Sequence, residues 1–262
     1  MNVRKVTSTL WTGADLLDLV APRDCVACAS PGRVLCRPCE GALASAVGWT
    51  DQKRVEVPVA VGGPFTGVLG EVVRSYKDGS RSLVRPLARV LLPALRYAAE
   101  QAERDRSSGD GSDDRVVSIV SIPASRRADW ARGEDILTRV VTRAVGALRR
   151  EGWRVRQRSL LTPGRVVADQ RGLSAEQRRV NIVGSLRLDP REVQRWVGAG
   201  RSSIVVVDDV LTTGATLREA VRVLGQVMDK QIISGAVIAA TTPRQGERPA
   251  AGEFPRRVDE RP

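Results

Sequence analysis

The sequence predicts an α/β fold, a parallel sheet flanked by helices on both faces, with a small N-terminal cysteine module ahead of it. Residues 116–122, 204–207 and 232–240 are short runs dominated by branched and small apolar residues, as in strands buried on both faces. Stretches with apolar residues at helical spacing alternate with them, the pattern that builds parallel sheets. All four cysteines fall between Cys25 and Cys39.

In chain order, residues 1–52 are expected to form an N-terminal helix and the cysteine module, 53–241 the α/β domain, and 242–262 a disordered tail rich in Pro, Arg, Gly and Glu. The apolar run Leu16, Leu17, Leu19 and Val20 is broken by Asp15 and Asp18, so it suits an amphipathic helix and neither a secretory signal nor a bilayer span. Residues 55–61 read as a first strand. Val68, Leu69, Val72, Val73 and Tyr76 then make one helical stripe, and Leu83, Leu87, Val90, Leu91 and Leu95 a second. Residues 103–115 lack any apolar period and read as a flexible insert. Strand 116–122 ends at Pro123, and the stripe Ile136, Leu137, Val140, Val141, Ala144, Val145 and Leu148 predicts the next helix. A strand near Val155, a polar stretch over 163–179, the strand 204–207, a helix through Leu217, Ala220, Val221 and Leu224, and the strand 232–240 complete the domain.

The chain of 262 residues is 42% apolar, enough to bury a large core. Its formal charge is +12, mostly from Arg, and between Ser121 and Arg201 there are 18 Arg against 8 acidic residues, an excess of ten. Such local basicity fits a phosphate or nucleic-acid surface; ordinary solvated surface in an Arg-rich chain is the alternative. Histidine is absent, so catalysis would rest on carboxylates, positioning, metal or fixed dipoles.

The most informative stretch runs from Val205 to Thr216: an apolar strand, then Asp208 and Asp209, then Thr212, Thr213, Gly214, Ala215 and Thr216 before a helix. Ligands of open α/β sheets bind at the carboxyl ends of strands, and a helix N-terminus offers amides and a positive dipole end to a phosphate. Gly214 permits close backbone approach. Two carboxylates beside a phosphate cradle require a different partner, such as vicinal sugar hydroxyls or a cation. The bland reading is a strand-end acid pair followed by a helix cap.

At a second strand end, Ala124 and Ser125 lead into Arg126 and Arg127, guanidinium groups able to neutralise an anion or simply solvated. Cys25, Cys28, Cys36 and Cys39 form two Cys-x2-Cys pairs, each suited to one edge of a tetrahedral thiolate site, and structural zinc would fold a module with little core of its own. Two disulfides or a redox pair are the other readings; the expected cytoplasmic location disfavours the first.

The segment from Val205 to Thr216 resembles the phosphoribosyl pyrophosphate motif of type I phosphoribosyltransferases. That resemblance implies the type I phosphoribosyltransferase fold, Asp208 and Asp209 on the ribose hydroxyls, residues 212–216 on the 5-phosphate, and magnesium bridging substrate oxygens. The loop Ala124, Ser125, Arg126 and Arg127 resembles the family's pyrophosphate loop. A four-cysteine module ahead of such a domain is the arrangement of the ComF family, tied to DNA uptake in naturally competent bacteria. Tyr76-Lys77-Asp78-Gly79, Arg132-Gly133, and Gln170, Gly172, Leu173, Ser174, Arg178 and Asn181 add to that resemblance. Two positions depart from it. Glu134, Asp135 and Ile136 stand where the family usually has Phe-Asn-Gln, and Pro163 and Val167 where it has a basic residue and Thr. Three functions follow: phosphoribosyl transfer to an unknown acceptor, single-stranded DNA handling, and sensing of phosphoribosyl pyrophosphate without turnover.

Overall fold

The computed structural model describes residues 24–45, 55, 57–104, 116–124, 136–164, 182–199, 202–228 and 233–241. The expected N-terminal helix and the tail 242–262 lie outside the described residues. Helix α1 (Arg37–Ser45) closes the cysteine module, followed by β1 (Val59–Pro64), α2 (Gly67–Lys77), a 3-10 turn (Arg81–Leu83) and α3 (Val84–Arg104). Next come β2 (Val117–Ser121), α4 (Ile136–Arg150), β3 (Val155–Arg158), β4 (Leu161–Pro163) and β5 (Leu186–Leu188). Helix α5 (Pro190–Gly198), β6 (Ile204–Leu211), α6 (Ala215–Leu224) and β7 (Ile233–Ala240) end the domain. The first two residues of the expected insert are thus the last of α3, and 105–115 lie outside the described residues.

The sheet has the order β1-β7-β6-β2-β3, and all its pairings are parallel. From β2 the chain moves outward to β3, then returns to the other side of β2 as β6. This reversal is a topological switch point, where the loops leaving β2 and β6 diverge to opposite faces and open a crevice.

Side-chain alternation divides the core in two. Ile119, Val205, Val207 and Ile238 face α3 and α4, meeting Leu87, Leu91, Leu95, Val140, Val141 and Leu148. Val120, Ile204, Val206 and Val237 face the other way, toward Leu217, Ala220 and Leu224 of α6 and Trp196 of α5. Helix α3 lies so close over β1 that a Cβ on Gly62 would stand 2.6 Å from the Ile238 carbonyl oxygen and 2.8 Å from that of Val90. Only glycine fits there without movement.

Two elements exceed the sequence expectation. Strand β6 continues past Val207 through both aspartates because β7 stays beside it, pairing Asp208 with Val237, Val210 with Ala239 and Leu211 with Ala240. The antiparallel pair β4 and β5, with α5 after it, forms a small addition packed through Leu161, Leu186 and Trp196 onto the α6 side of the core. No helix among the described residues is long and apolar enough to cross a membrane.

Candidate functional site

At the switch point Ser121 stands opposite Val207, and the Ile122 amide donates to the Val207 carbonyl at 2.9 Å. Pro123 and Ala124 therefore leave the sheet beside Asp208. Asp208 and Asp209 are both half-buried, and the Asp209 amide donates to Asp208 Oδ1 at 2.8 Å. Burial, and secondly the charge of Asp209, push the Asp208 carboxyl up to about 7; the Asp209 amide and Lys77 act in the opposite sense. An acid pair held at this cost is set up for hydroxyl donors or a cation.

The turn after β6 places Gly214 at the N-cap of α6 with φ 74° and ψ 4°. That left-handed conformation costs any residue with a Cβ, so the glycine is required by the backbone itself. The turn is fixed by its own helix: the Arg218 amide donates to the Gly214 carbonyl at 2.9 Å, and the Arg218 guanidinium to the Thr213 carbonyl at 3.1 Å. Thr213 Oγ1 accepts from the Ala215 amide at 3.4 Å. Thr212 is exposed, Thr213 and Thr216 are half-buried, and Gly214 and Ala215 are buried, so hydroxyls and first-turn amides share the mouth of the crevice.

Sequence reasoning did not place Lys77 in the site. Its Nζ lies 2.9 Å from Asp209 Oδ2. The motif Tyr76-Lys77-Asp78-Gly79 explains the placement. Tyr76 is buried at 3% exposure, and Gly79, with φ 105°, ends α2 by donating its amide to the Tyr76 carbonyl at 3.0 Å. The helix stops where its last side chain reaches over the acid pair. A lysine directly before a helix-ending Asp-Gly was the available signal.

Asp208, Asp209 and residues 212–216 thus lie at the carboxyl end of β6 and in the turn after it, beside the end of β2 that leads to Ala124. Ser125, Arg126 and Arg127 lie outside the described residues, as do Arg132, Gly133 and the stretch from Gln170 to Asn181.

The sulfur atoms of Cys25, Cys28, Cys36 and Cys39 all lie within 4.8 Å of one another, and none forms a disulfide. Cys28 Sγ and Cys36 Sγ are 3.5 Å apart, close to the edge of about 3.7 Å that tetrahedral thiolates at zinc distance define. Burial pushes the Cys25 thiol up, but amides of Cys36, Ala27 and Cys28 outweigh it and bring the group down to about 6. Cys39 is raised, first by burial and then by the neighbouring sulfurs. Cys25 and Cys28 are shifted toward the thiolate while Cys36 and Cys39 resist further charge, so a soft divalent cation fits the donor set, and the cluster could hold zinc. Val26, Val34 and Leu35 seat the module against the main core, and Arg89 of α3 pairs with Glu40.

The family model for the phosphoribosyl transferase domain matches residues 200–257, the part that carries β6, the turn and α6. DNA utilization protein YhgH of Salmonella typhimurium is 30% identical over 204 residues, covering 76% of this chain and 77% of the relative. The protein of the same name from Escherichia coli strain K12 matches with the same identity and coverage.

Proposed function

The chain belongs to the ComF family, with its phosphoribosyltransferase-like domain and four-cysteine module, and from that premise we propose that the switch-point crevice binds phosphoribosyl pyrophosphate with magnesium. The observation that carries this reading is the juxtaposition of Asp208 and Asp209 with the left-handed Gly214 turn at the start of α6. The turn suits a 5-phosphate; the acids suit the ribose hydroxyls. Magnesium, when bound, would screen the pyrophosphate oxygens of the ligand. Lys77 holds the acid pair in the free protein and is close enough to meet ligand phosphate once hydroxyls occupy Asp209.

With an acceptor present, the reaction would form a bond from the acceptor's nucleophilic atom to the anomeric carbon. The bond from that carbon to pyrophosphate would break, its electron pair leaving with pyrophosphate. Positioning and charge stabilisation dominate such chemistry, so a chain without histidine can support it. Arg126 and Arg127 are proposed to neutralise the leaving group. In the cysteine module we assign Cys25, Cys28, Cys36 and Cys39 as ligands of a structural zinc.

Calorimetric titration with phosphoribosyl pyrophosphate and magnesium tests the reading. Binding that weakens in Asp209→Asn is expected, and no binding by the wild type at millimolar ligand would overturn it. A second reading, single-stranded DNA handling, is favoured by the relatives called DNA utilization protein.

A further inference from the structure

We propose that the groove between the start of α3 and the outer face of α4 is a binding site for the backbone of single-stranded nucleic acid. The groove has a volume of about 700 Å³ and is lined by Arg81, Arg85, Arg139, Arg143 and Arg150 together with small residues such as Gly146. All five arginines are exposed, and no carboxylate is among the described lining residues. Glu151, next to Arg150 in sequence, is engaged by Arg96 at 2.9 Å, and Arg81 and Arg139 have contacts of their own, so the ligand-binding charge is carried chiefly by Arg85, Arg143 and Arg150.

The arrangement follows from helical spacing. Arg139, Arg143, Gly146 and Arg150 recur at intervals of four, three and four residues, so they share one face of α4. Arg139 and Arg143 stand about 6 Å apart along the axis and Arg150 about 10 Å beyond, a ladder suited to successive phosphates of an extended strand. Gly146 stands between Arg143 and Arg150 on that face and lines the groove. Arg81 and Arg85 face this ladder from the 3-10 turn and the first turn of α3. Arg85 is one turn before Arg89, which pairs with Glu40 of the cysteine module, so the groove adjoins that module.

Two features select the ligand. The cations lie along a seam between two helices, a path that a flexible single strand can follow. Among the described residues no aromatic lines the groove, so its contacts would be to the backbone rather than to stacked bases. The choice of polyanion rests on the nucleic-acid reading given above; the position rests on the groove.

The test is fluorescence anisotropy of labelled oligothymidine with the full chain across a salt series. Replacing Arg85, Arg143 and Arg150 together by Ala should weaken binding roughly tenfold or more and reduce the slope of log affinity against log salt by about 2, three lost contacts at about 0.7 each. Removing equal charge elsewhere, with Arg156, Arg187 and Arg191 changed to Ala, should leave both nearly unchanged. Equal losses in the two triple variants would overturn the groove assignment, as would wild-type behaviour of the first. Absence of wild-type binding at low salt would overturn the nucleic-acid reading itself. Displacement of the strand by polyglutamate as readily as by unlabelled oligothymidine would overturn the choice of ligand. Thermal shift by phosphoribosyl pyrophosphate, read in parallel, should stay intact in the groove variant, which separates this site from the crevice.

Discussion

Replacing Asp208 by Asn should make the protein more stable while removing part of the proposed binding site. The Asp208 carboxyl is pushed up to about 7 in the folded chain, by burial and by Asp209. In the unfolded chain it titrates at about 4. A raised folded value means that the folded state holds its proton longer, so stability is lost as pH rises from about 4 through about 7. Three pH units correspond to at most about 4 kcal/mol at pH 8, and at pH 5 the same linkage gives only about 1.5 kcal/mol. An asparagine never incurs this cost, and its oxygen can still accept from the Asp209 amide that now binds Asp208 Oδ1. Urea unfolding of both proteins without magnesium or ligand would measure the difference. The Asn variant should exceed wild type at pH 8 by roughly 2–4 kcal/mol, the gap narrowing toward pH 5. A gap independent of pH, or a variant less stable at pH 8, would refute the reasoning. The same variant should lose most of the thermal shift given by phosphoribosyl pyrophosphate.

Other outcomes are expected from the same geometry. Gly214→Val should cost about 1–2 kcal/mol for its left-handed backbone and abolish the ligand-induced thermal shift, whereas Gly214→Asn should retain more of both, as differential scanning fluorimetry would show. Lys77→Met should change stability by less than about 1 kcal/mol, because the ion pair is half-exposed, yet weaken phosphoribosyl pyrophosphate in calorimetry. Purified protein should contain one zinc per chain by metal analysis, and Cys36→Ser should lose it and loosen the module before the sheet, as hydrogen exchange would report.

The strands and long helices were legible because their signals are local. The helical stripe from Ile136 to Leu148 became α4, and the run Ile204–Val207 became the first half of β6. The extension of β6 through Asp208 to Leu211 was not legible, because it depends on pairing with β7, which is remote in sequence. Helix α5 did leave a mark that was passed over. Asp189 caps it, accepting from the Arg191 and Glu192 amides at 2.9 and 3.1 Å, and Pro190 sits in its first turn. Within the site, the acids and the Gly214 turn were readable as one contiguous motif. Lys77 was not, since 131 positions separate it from Asp208 and only the packing of α2 brings them together.

Charge satisfaction separates the acids that build this fold from those that await a partner. Glu219, on α6 behind the Gly214 turn, is only 4% exposed. Its two oxygens accept from the Gly184 amide at 2.7 Å and from the Arg222 guanidinium at 2.7 and 2.9 Å, which ties the segment leading into β5 to α6. A buried carboxylate with such partners belongs to the architecture, and its loss would leave the Gly184 amide and a guanidinium unmatched. Asp208 has one amide, a like-charged neighbour and a carboxyl pushed up to about 7. An asparagine of the same shape would hold the strand end at lower cost. Both acids lie within twelve residues of each other in sequence and look alike there. The distinction lies in their surroundings, and it supports the proposed ligand site at the carboxyl ends of β2 and β6 rather than one at the α6–β5 junction.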